Sequence, residues 1–397
     1  MARRWDTGSV YLDNNSTTAV RPEVWKAMEI FYRERWGNAS SFHGMGRQAR
    51  EGLEAARATL AQGLGVEAED LLFTSGGTES DNIAIKAVGG RDRTRKNHIV
   101  TSAVEHLAVL ESARAMEAGG FEVTVVGVDA FGRVRPEAVR KALRPTTALV
   151  SIMHANNEVG TIQPIEAIAK ICKAQGVTFH TDAVQSFGKI PLRPYDWGVD
   201  LTSLSAHKIH GPKGVGCLVT RKGLAIERFL HGGHHERSLR AGTENVAGVV
   251  GFARAFQILH SELPRASARV LQLRDGFHQG LTERIEGVHL NGHPTERLWN
   301  TVNLRFDGVD NEAFLLRMDA HGIMASMASA CTTGHVEPSH VLIAMGLSEE
   351  EAFSSVRFSL SVLTTQAQIE RCLDVIPRIV RSIRRAPKRR TLRKLVR

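Results

Sequence analysis

An α/β fold, with helices on both faces of a largely parallel sheet, is predicted by three features of this 397-residue chain. First, short apolar, strand-like runs at 98–102, 121–128, 148–153 and 177–180 alternate with helical segments at about 108–118, 135–143 and 165–175, the rhythm of βαβ units. Second, polar clusters stand just after three of those runs: Glu105-His106, Asn156-Asn157-Glu158 and Asp182-Ala183-Val184-Gln185. Open α/β sheets collect ligand-binding groups at such strand ends. Third, 42% hydrophobic and 23% charged residues are ordinary for a soluble globular chain, and no apolar run approaches the roughly 18 residues of a membrane span. The length suits two or three domains, or one large α/β core with a smaller lobe.

In chain order, an apolar run at 10–12 meets the turn-forming cluster Asp13-Asn14-Asn15-Ser16-Thr17-Thr18. A helix is predicted from Pro22 to about Trp36, with proline in its first turn, followed by a loop at 37–41. Residues 47–64 read as an amphipathic helix, with Ala49, Leu53, Ala56 and Leu60 along one face. The apolar run from Leu71 breaks at Gly76-Gly77 before an Ala/Ile-rich helix. Small residues at a helix start leave backbone N–H groups free for a phosphate, with the Thr78 hydroxyl alongside, although Gly-Gly by itself is usually only a turn. Further strand-like runs at 199–204 and 215–219 bracket Ala206-His207-Lys208-Ile209-His210-Gly211. Around His231, His234 and His235 the glycines favour a loop over a metal site. A long helix at about 247–266 leads to a second lobe with a strand at 301–306 and a helix at 312–320. Residues 325–334 are rich in small side chains, as a mobile loop would be, and no internal repeat is visible.

The net charge of +9 is a property of the tail. From Arg378 onward there are ten Lys or Arg and no acid, which leaves the rest of the chain at −1. A solvated or frayed helix end accounts for such a run. Four cysteines without close spacing, and no apolar signal region after Met1, point to a reducing cytoplasm.

Lys208 stands at a strand exit, flanked by Ser205 and His207, which offer donors to an anion. Asp182 ends the preceding strand-like run, with Gln185 three residues on. A lysine at one strand end and an acid at the next is what pyridoxal phosphate needs. The amine holds the aldehyde as a Schiff base, and the carboxylate keeps the ring nitrogen protonated. Asp182 also suits a helix N-cap, and both roles can coexist. Cys172, Cys217 and Cys372 lie in apolar patterns, as buried small hydrophobes do. Cys331 lies among Ser, Thr, Ala and Gly with His335 nearby, which leaves a buried cysteine and a nucleophilic thiolate as open alternatives.

Taken together, the stretches Tyr11-Leu12-Asp13-Asn14-Asn15, Thr74 to Asn82, Ser102-Ala103-Val104-Glu105-His106, Met153-His154-Ala155-Asn156-Asn157-Glu158 and His180-Thr181-Asp182-Ala183-Val184-Gln185 form an ordered set. The set continues with the Lys208 segment, Gly242-Thr243-Glu244-Asn245, Ser329-Ala330-Cys331, Glu337-Pro338-Ser339-His340 and Ser355-Val356-Arg357-Phe358-Ser359. Through them nearly the whole chain resembles the cysteine desulfurases of the NifS/IscS type, within the class V aminotransferase-like enzymes of pyridoxal phosphate fold type I. The resemblance implies a cofactor-binding large domain at 15–260, with a mainly parallel seven-stranded sheet flanked by helices. A smaller α+β C-terminal domain at 261–397 would follow, with residues 1–14 packed on it and a basic tail at 378–397.

The same resemblance implies Lys208 as the Schiff-base lysine, Asp182 on the ring nitrogen, Gln185 on the ring hydroxyl, and His106 stacked on the ring and aiding proton transfer. Gly77, Thr78, Ser205 and His207 would bind the phosphate, joined by Thr243 from the second subunit of a homodimer. Asn157 and Arg357 would hold the substrate carboxylate. Cys331 would take sulfur from L-cysteine as a persulfide, releasing alanine, and pass it to an iron–sulfur scaffold or another acceptor protein. It would meet metal only as a transient iron–sulfur ligand shared with such a scaffold. No membrane and no nucleic acid on the basic tail are expected. A selenocysteine lyase-type enzyme and a catalytically weak scaffold that docks an assembly partner are the alternatives. The chain departs from the family pattern at Met327-Ala328, where Ser-Gly is usual, at His210, where tyrosine is common, and at His234-His235, where Gly-Gln is usual.

Overall fold

The computed structural model describes residues 8–88, 96–327 and 337–385, and its strands form three sheets. In chain order the strands are β1 (Val10–Tyr11), β2 (Leu71–Thr74), β3 (His98–Ser102), β4 (Glu122–Val126), β5 (Thr147–Ser151), β6 (Thr178–Asp182), β7 (Leu201–Ser205) and β8 (Gly216–Thr220). They continue as β9 (Val288–Asn291), β10 (Thr301–Phe306), β11 (Ile323–Met324) and β12 (Ser355–Ser359). The central sheet has seven strands in the order β2-β8-β7-β6-β5-β3-β4, as the resemblance implied. Strands β4, β3, β5, β6 and β7 run parallel, and β8 is antiparallel to both β7 and β2.

Strand pleating sends alternate side chains to opposite faces, so each buried strand feeds two cores. Leu72, Ile99, Leu149, Leu201 and Leu218 meet Ile83, Ile85, Val109 and Met116 on one face. On the other, Val100, Val150 and Phe179 pack on Ile165, Ile168 and Cys172, while Phe73, Leu204 and Cys217 join Leu53, Leu60, Phe252 and Phe256. The buried Cys172, Cys217 and Cys372 behave as the small hydrophobes expected, and burial pushes each thiol up to about 12.

A second core surrounds the antiparallel sheet β12-β10-β9 and includes Val10 and Leu12 from the chain start. The helix joining the two cores runs over Val246–Arg284, 39 residues, well past the expected end near Ala266. Pro264 lies inside it, and proline removes one backbone donor. The helix continues because Val270, Leu273, Phe277 and Leu281 keep a helical stripe buried in the second core. Strands β9 and β12 and the last helix, Gln366–Arg385, were also not foreseen. That helix holds Ile379 and Val380 buried, so the first turns of the basic stretch are anchored. Among the described residues no helix is long and apolar enough to cross a membrane.

These strands position the site. Asp182 and Ser205 are the last residues of neighbouring parallel strands β6 and β7, and a short 3-10 turn, Ala206–Lys208, carries the lysine just beyond. All three face a crevice at the carboxyl edge of the sheet.

Candidate active site

A cleft of ≈ 670 Å³ collects groups from both cores. Gly77, Thr78, His106, Asn157, Asp182, Gln185, Ser205, His207 and Lys208 line it from the central-sheet side, and Arg357, on β12, from the other. Ten of the twelve expected site residues therefore share one cavity. Thr243 is exposed and does not line it. Cys331 lies outside the described residues, while Ser326 and Glu337, described on either side of that stretch, both line the cleft.

Lys208 Nζ donates to the backbone carbonyls of Asn15, at 2.6 Å, and Ser16, at 2.8 Å. Burial, reinforced by the Arg357 charge, pushes this amine down to about 8, with Asp182 and Asp13 pulling the other way. Asp182 is buried, and its Oδ1 accepts the Val184 N–H at 2.9 Å, so the N-cap-like role exists beside any other. Burial raises its carboxyl, opposed by His106, the Val184 bond and Lys208. His106 caps the helix Leu107–Ala118: its Nδ1 accepts from Ala108 N at 3.1 Å, which leaves Nε2 to carry the proton of the neutral ring. Burial lowers the His106 ring, as it lowers His207 to about 4, so both stay uncharged. His207 Nδ1 lies 3.1 Å from Thr17 Oγ1.

Just past the end of β2, Gly76 adopts φ 156° and ψ −175°, a conformation essentially confined to glycine. A Cβ on Gly77 would stand 2.7 Å from Val184 Cγ2, so a side chain there would close the cradle. Ser205 Oγ, which shares the cleft, is fully buried and has no hydrogen-bond partner among the described residues. A buried orphan hydroxyl is costly unless something else answers it.

Arg357 is more committed than the sequence implied. Its guanidinium donates to Asn157 O at 3.0 Å, and to Asp13 Oδ1 and Ser16 Oγ at 2.7 Å each, while Nε has no partner among the described residues. Asn15, quoted in the sequence only as part of a motif, is the hub of the site. Its backbone oxygen accepts from Lys208 and Gln185, and its side chain bonds Asn157 O, Thr301 and Asn300. Turn composition was the only local signal for it. Glu105 and Asp81 are also buried beside Asp182, and burial raises both, Glu105 to about 8. His180 approaches Asp81 at 3.7 Å, but burial drives that ring down to about 3, so the contact is not an ion pair.

The three departures from the family pattern look different in space. His210 is buried at φ 65°, with its backbone N bonded to Thr18 Oγ1 and its ring Nδ1 to Ala19 O. His234 Nδ1 lies 3.1 Å from Ser238 Oγ, and His235 Nδ1 accepts from Gly242 N. Among the described residues no group of three or more His, Cys, Asp or Glu is arranged to hold a metal. Met327 is described and Ala328 is not.

The family model for class V aminotransferases matches residues 10–372. The chain belongs to that family. It is similar to a protein named cysteine desulfurase IscS from Dictyoglomus turgidum, 47% identical over 375 residues, which is 94% of this chain and 95% of the relative. A solved structure titled NifS-like protein superposes with a TM-score of 0.89 at 40% identity, covering 94% of this chain and 100% of the other. Another, titled SspA in complex with cysteine, has a TM-score of 0.80 at 33% identity over 89% of this chain and 99% of the other. The architecture is that of pyridoxal phosphate fold type I, and pyridoxal 5'-phosphate is the cofactor of this family. The residues present suit it: a lysine with a lowered amine, a buried acid one strand away, a small-residue cradle and an unanswered hydroxyl in one cleft.

Proposed function

We propose that this protein is a cysteine desulfurase. With pyridoxal 5'-phosphate bound, it converts L-cysteine to L-alanine and passes the sulfur, through a persulfide on Cys331, to an acceptor protein. The observation that carries this reading is the convergence of Lys208, Asp182 and the unpartnered Ser205 hydroxyl in one cleft whose far wall holds Arg357. The relatives named cysteine desulfurase, 41–47% identical over most of the chain, support the choice of reaction within the family.

Lys208 would hold the cofactor's aldehyde, Asp182 its ring nitrogen, and Gln185 its ring hydroxyl, with the uncharged His106 against the ring face. Gly77, Thr78, Ser205 and His207 would hold the phosphate. When bound, the cofactor supplies an electron sink that acidifies the α-proton of an amino acid. The protein's share is then positional and acid–base. Arg357 would take the substrate carboxylate on its planar fork beside Asn157. Lys208 Nζ, poised near pH 8, suits the removal and return of a proton at the substrate α-carbon. Cys331 Sγ, as thiolate, would attack the substrate sulfur, so that an S–S bond forms as the C–S bond breaks and the carbon product takes up a proton as alanine. Ser326 and Glu337, described on either side of its segment, line the cleft, which supports this assignment.

The same reading makes the protein a homodimer with Thr243 reaching the partner's phosphate site. Exposed Trp25, Tyr32, Trp36 (69%) and Phe42 (89%) on and after the Pro22–Arg33 helix support a covered apolar face. It also divides the chain at residue 260 into a large and a small domain with residues 1–14 on the latter. The cluster around β12-β10-β9, which takes in Val10 and Leu12 and is distinct from those against the central sheet, supports that division. The acceptor would be an iron–sulfur scaffold or another sulfur-accepting protein, in the cytoplasm.

Mass spectrometry after incubation with L-cysteine tests the proposal. One added sulfur on Cys331 with matching alanine is expected, and Cys331→Ala should keep the cofactor's visible colour while losing sulfur transfer. Undiminished sulfur release by Cys331→Ala would refute the persulfide step and favour a lyase.

A further inference from the structure

Lys189 has no part in the chemistry above, yet it is a buried amine at the back of the cleft wall. Its Nζ donates to Gln185 Oε1 at 3.0 Å and Asn15 Oδ1 at 3.3 Å. Burial lowers this amine to about 7, with the charges of Lys208 and Arg357 acting the same way, so nothing ionic repays its position. An alkyl side chain would suit such a site better unless the two bonds matter.

The amide orientations are determined by their other partners. Gln185 Nε2 donates to the backbone oxygen of Asn15 at 2.8 Å, so Oε1 must face Lys189. Asn15 Nδ2 donates to Asn157 O at 3.1 Å and Thr301 Oγ1 at 2.9 Å, so its Oδ1 also faces Lys189, beside Asn300 Nδ2. The Asn15 backbone oxygen that receives Gln185 also receives Lys208 Nζ. One buried amine therefore holds both side-chain oxygens of a network that ends at the proposed ring-hydroxyl group and the proposed aldehyde-binding lysine. Each amide has two N–H donors, and one Gln185 N–H remains for a ligand in the cleft.

We propose that Lys189 is a positioning residue for the cofactor pocket: by donating to Gln185 and Asn15 together, it fixes the Gln185 amide with an N–H toward the cofactor's ring hydroxyl. This rests on the role proposed for Gln185. Without Lys189 the amide loses the partner of its oxygen, and only the Asn15 carbonyl still holds it against turning that oxygen into the cleft, where it would oppose the ring hydroxylate rather than donate to it.

The test compares full-length wild type, Lys189→Met, Gln185→Ala and the double variant, each titrated with pyridoxal 5'-phosphate. The readouts are cofactor affinity, the pH midpoint of the cofactor's visible absorption band, and thermal melting. Lys189→Met should weaken cofactor binding about tenfold and move the midpoint in the same direction as Gln185→Ala, with no further loss in the double variant. An unmoved midpoint, or losses that add in the double variant, would overturn the proposal by showing that Lys189 acts only on the fold. Should Lys189→Met prove insoluble, Lys189→Gln replaces it, since it retains an N–H donor. A band like wild type then supports donation as the function, and a band like Gln185→Ala overturns it. A wild type that develops no visible band would instead refute the cofactor assignment of Gln185, and this inference with it.

Discussion

Two buried polar clusters in this protein are each assembled from distant parts of the chain and are built in opposite ways. In the first, Arg57 and Glu236 pair through Nη2–Oε1 at 2.6 Å, both side chains almost fully buried. The remaining valences are closed by the protein: Arg57 Nη1 donates to Leu71 O, Phe73 N donates to Glu236 Oε2, and the guanidinium lies 4.5 Å over the Phe73 ring. Glu236 of this pair opens a run of three successive non-glycine residues, with Arg237 and Ser238, at positive φ. In the second, the cleft, Ser205 Oγ, Asp81 Oδ1 and Arg357 Nε have no hydrogen-bond partner among the described residues, and the amine and carboxyl groups are pushed off their ordinary values. A closed network makes stability. An open one forgoes stability and keeps atoms available for something the protein must bind.

That contrast is open to attack from either side. Lys208→Ala should lower alanine release by at least about 10³-fold while leaving the melting temperature equal or higher, because a desolvated amine is removed; a fall in melting temperature would blur the distinction. Glu236→Ala should do the reverse, lowering the free energy of unfolding in urea by about 3–5 kcal/mol with turnover per folded molecule little changed. Ser205→Ala should weaken cofactor binding about tenfold, measured by titration, with no loss of stability; a destabilised Ser205→Ala would place that hydroxyl in the closed class. The smallest effect concerns pH. Only the neutral amine attacks an aldehyde, and the lowered Lys208 pKa brings that form into reach. Cofactor capture by the cofactor-free protein should rise about fivefold between pH 7 and pH 8, levelling above the midpoint. A midpoint near that of an ordinary lysine would mean that burial does not tune this group.

Within the cleft, local signals and distant ones can be told apart residue by residue. Lys208, Asp182 and Gly76-Gly77 were legible because each follows an apolar strand-like run, and strand ends in a parallel sheet converge whatever the loops do. Asn157, Arg357 and Cys331 drew their roles from the family resemblance, since a lone arginine or cysteine has no local pattern to distinguish it.

By itself, then, the sequence determined the alternation of strand and helix, the edge of the sheet where the chemistry gathers, and the residue types able to hold an aldehyde, a ring nitrogen and a phosphate. Periodicity and turn composition are local, and they suffice for that. Only the tertiary structure decided that Asn15 O receives Lys208 from 193 positions away, that Asp13 and Ser16 hold Arg357, that the long helix survives Pro264, and that Lys189 backs Gln185. Those outcomes depend on desolvation and on contacts between distant segments, and neither quantity exists until the chain has folded around them.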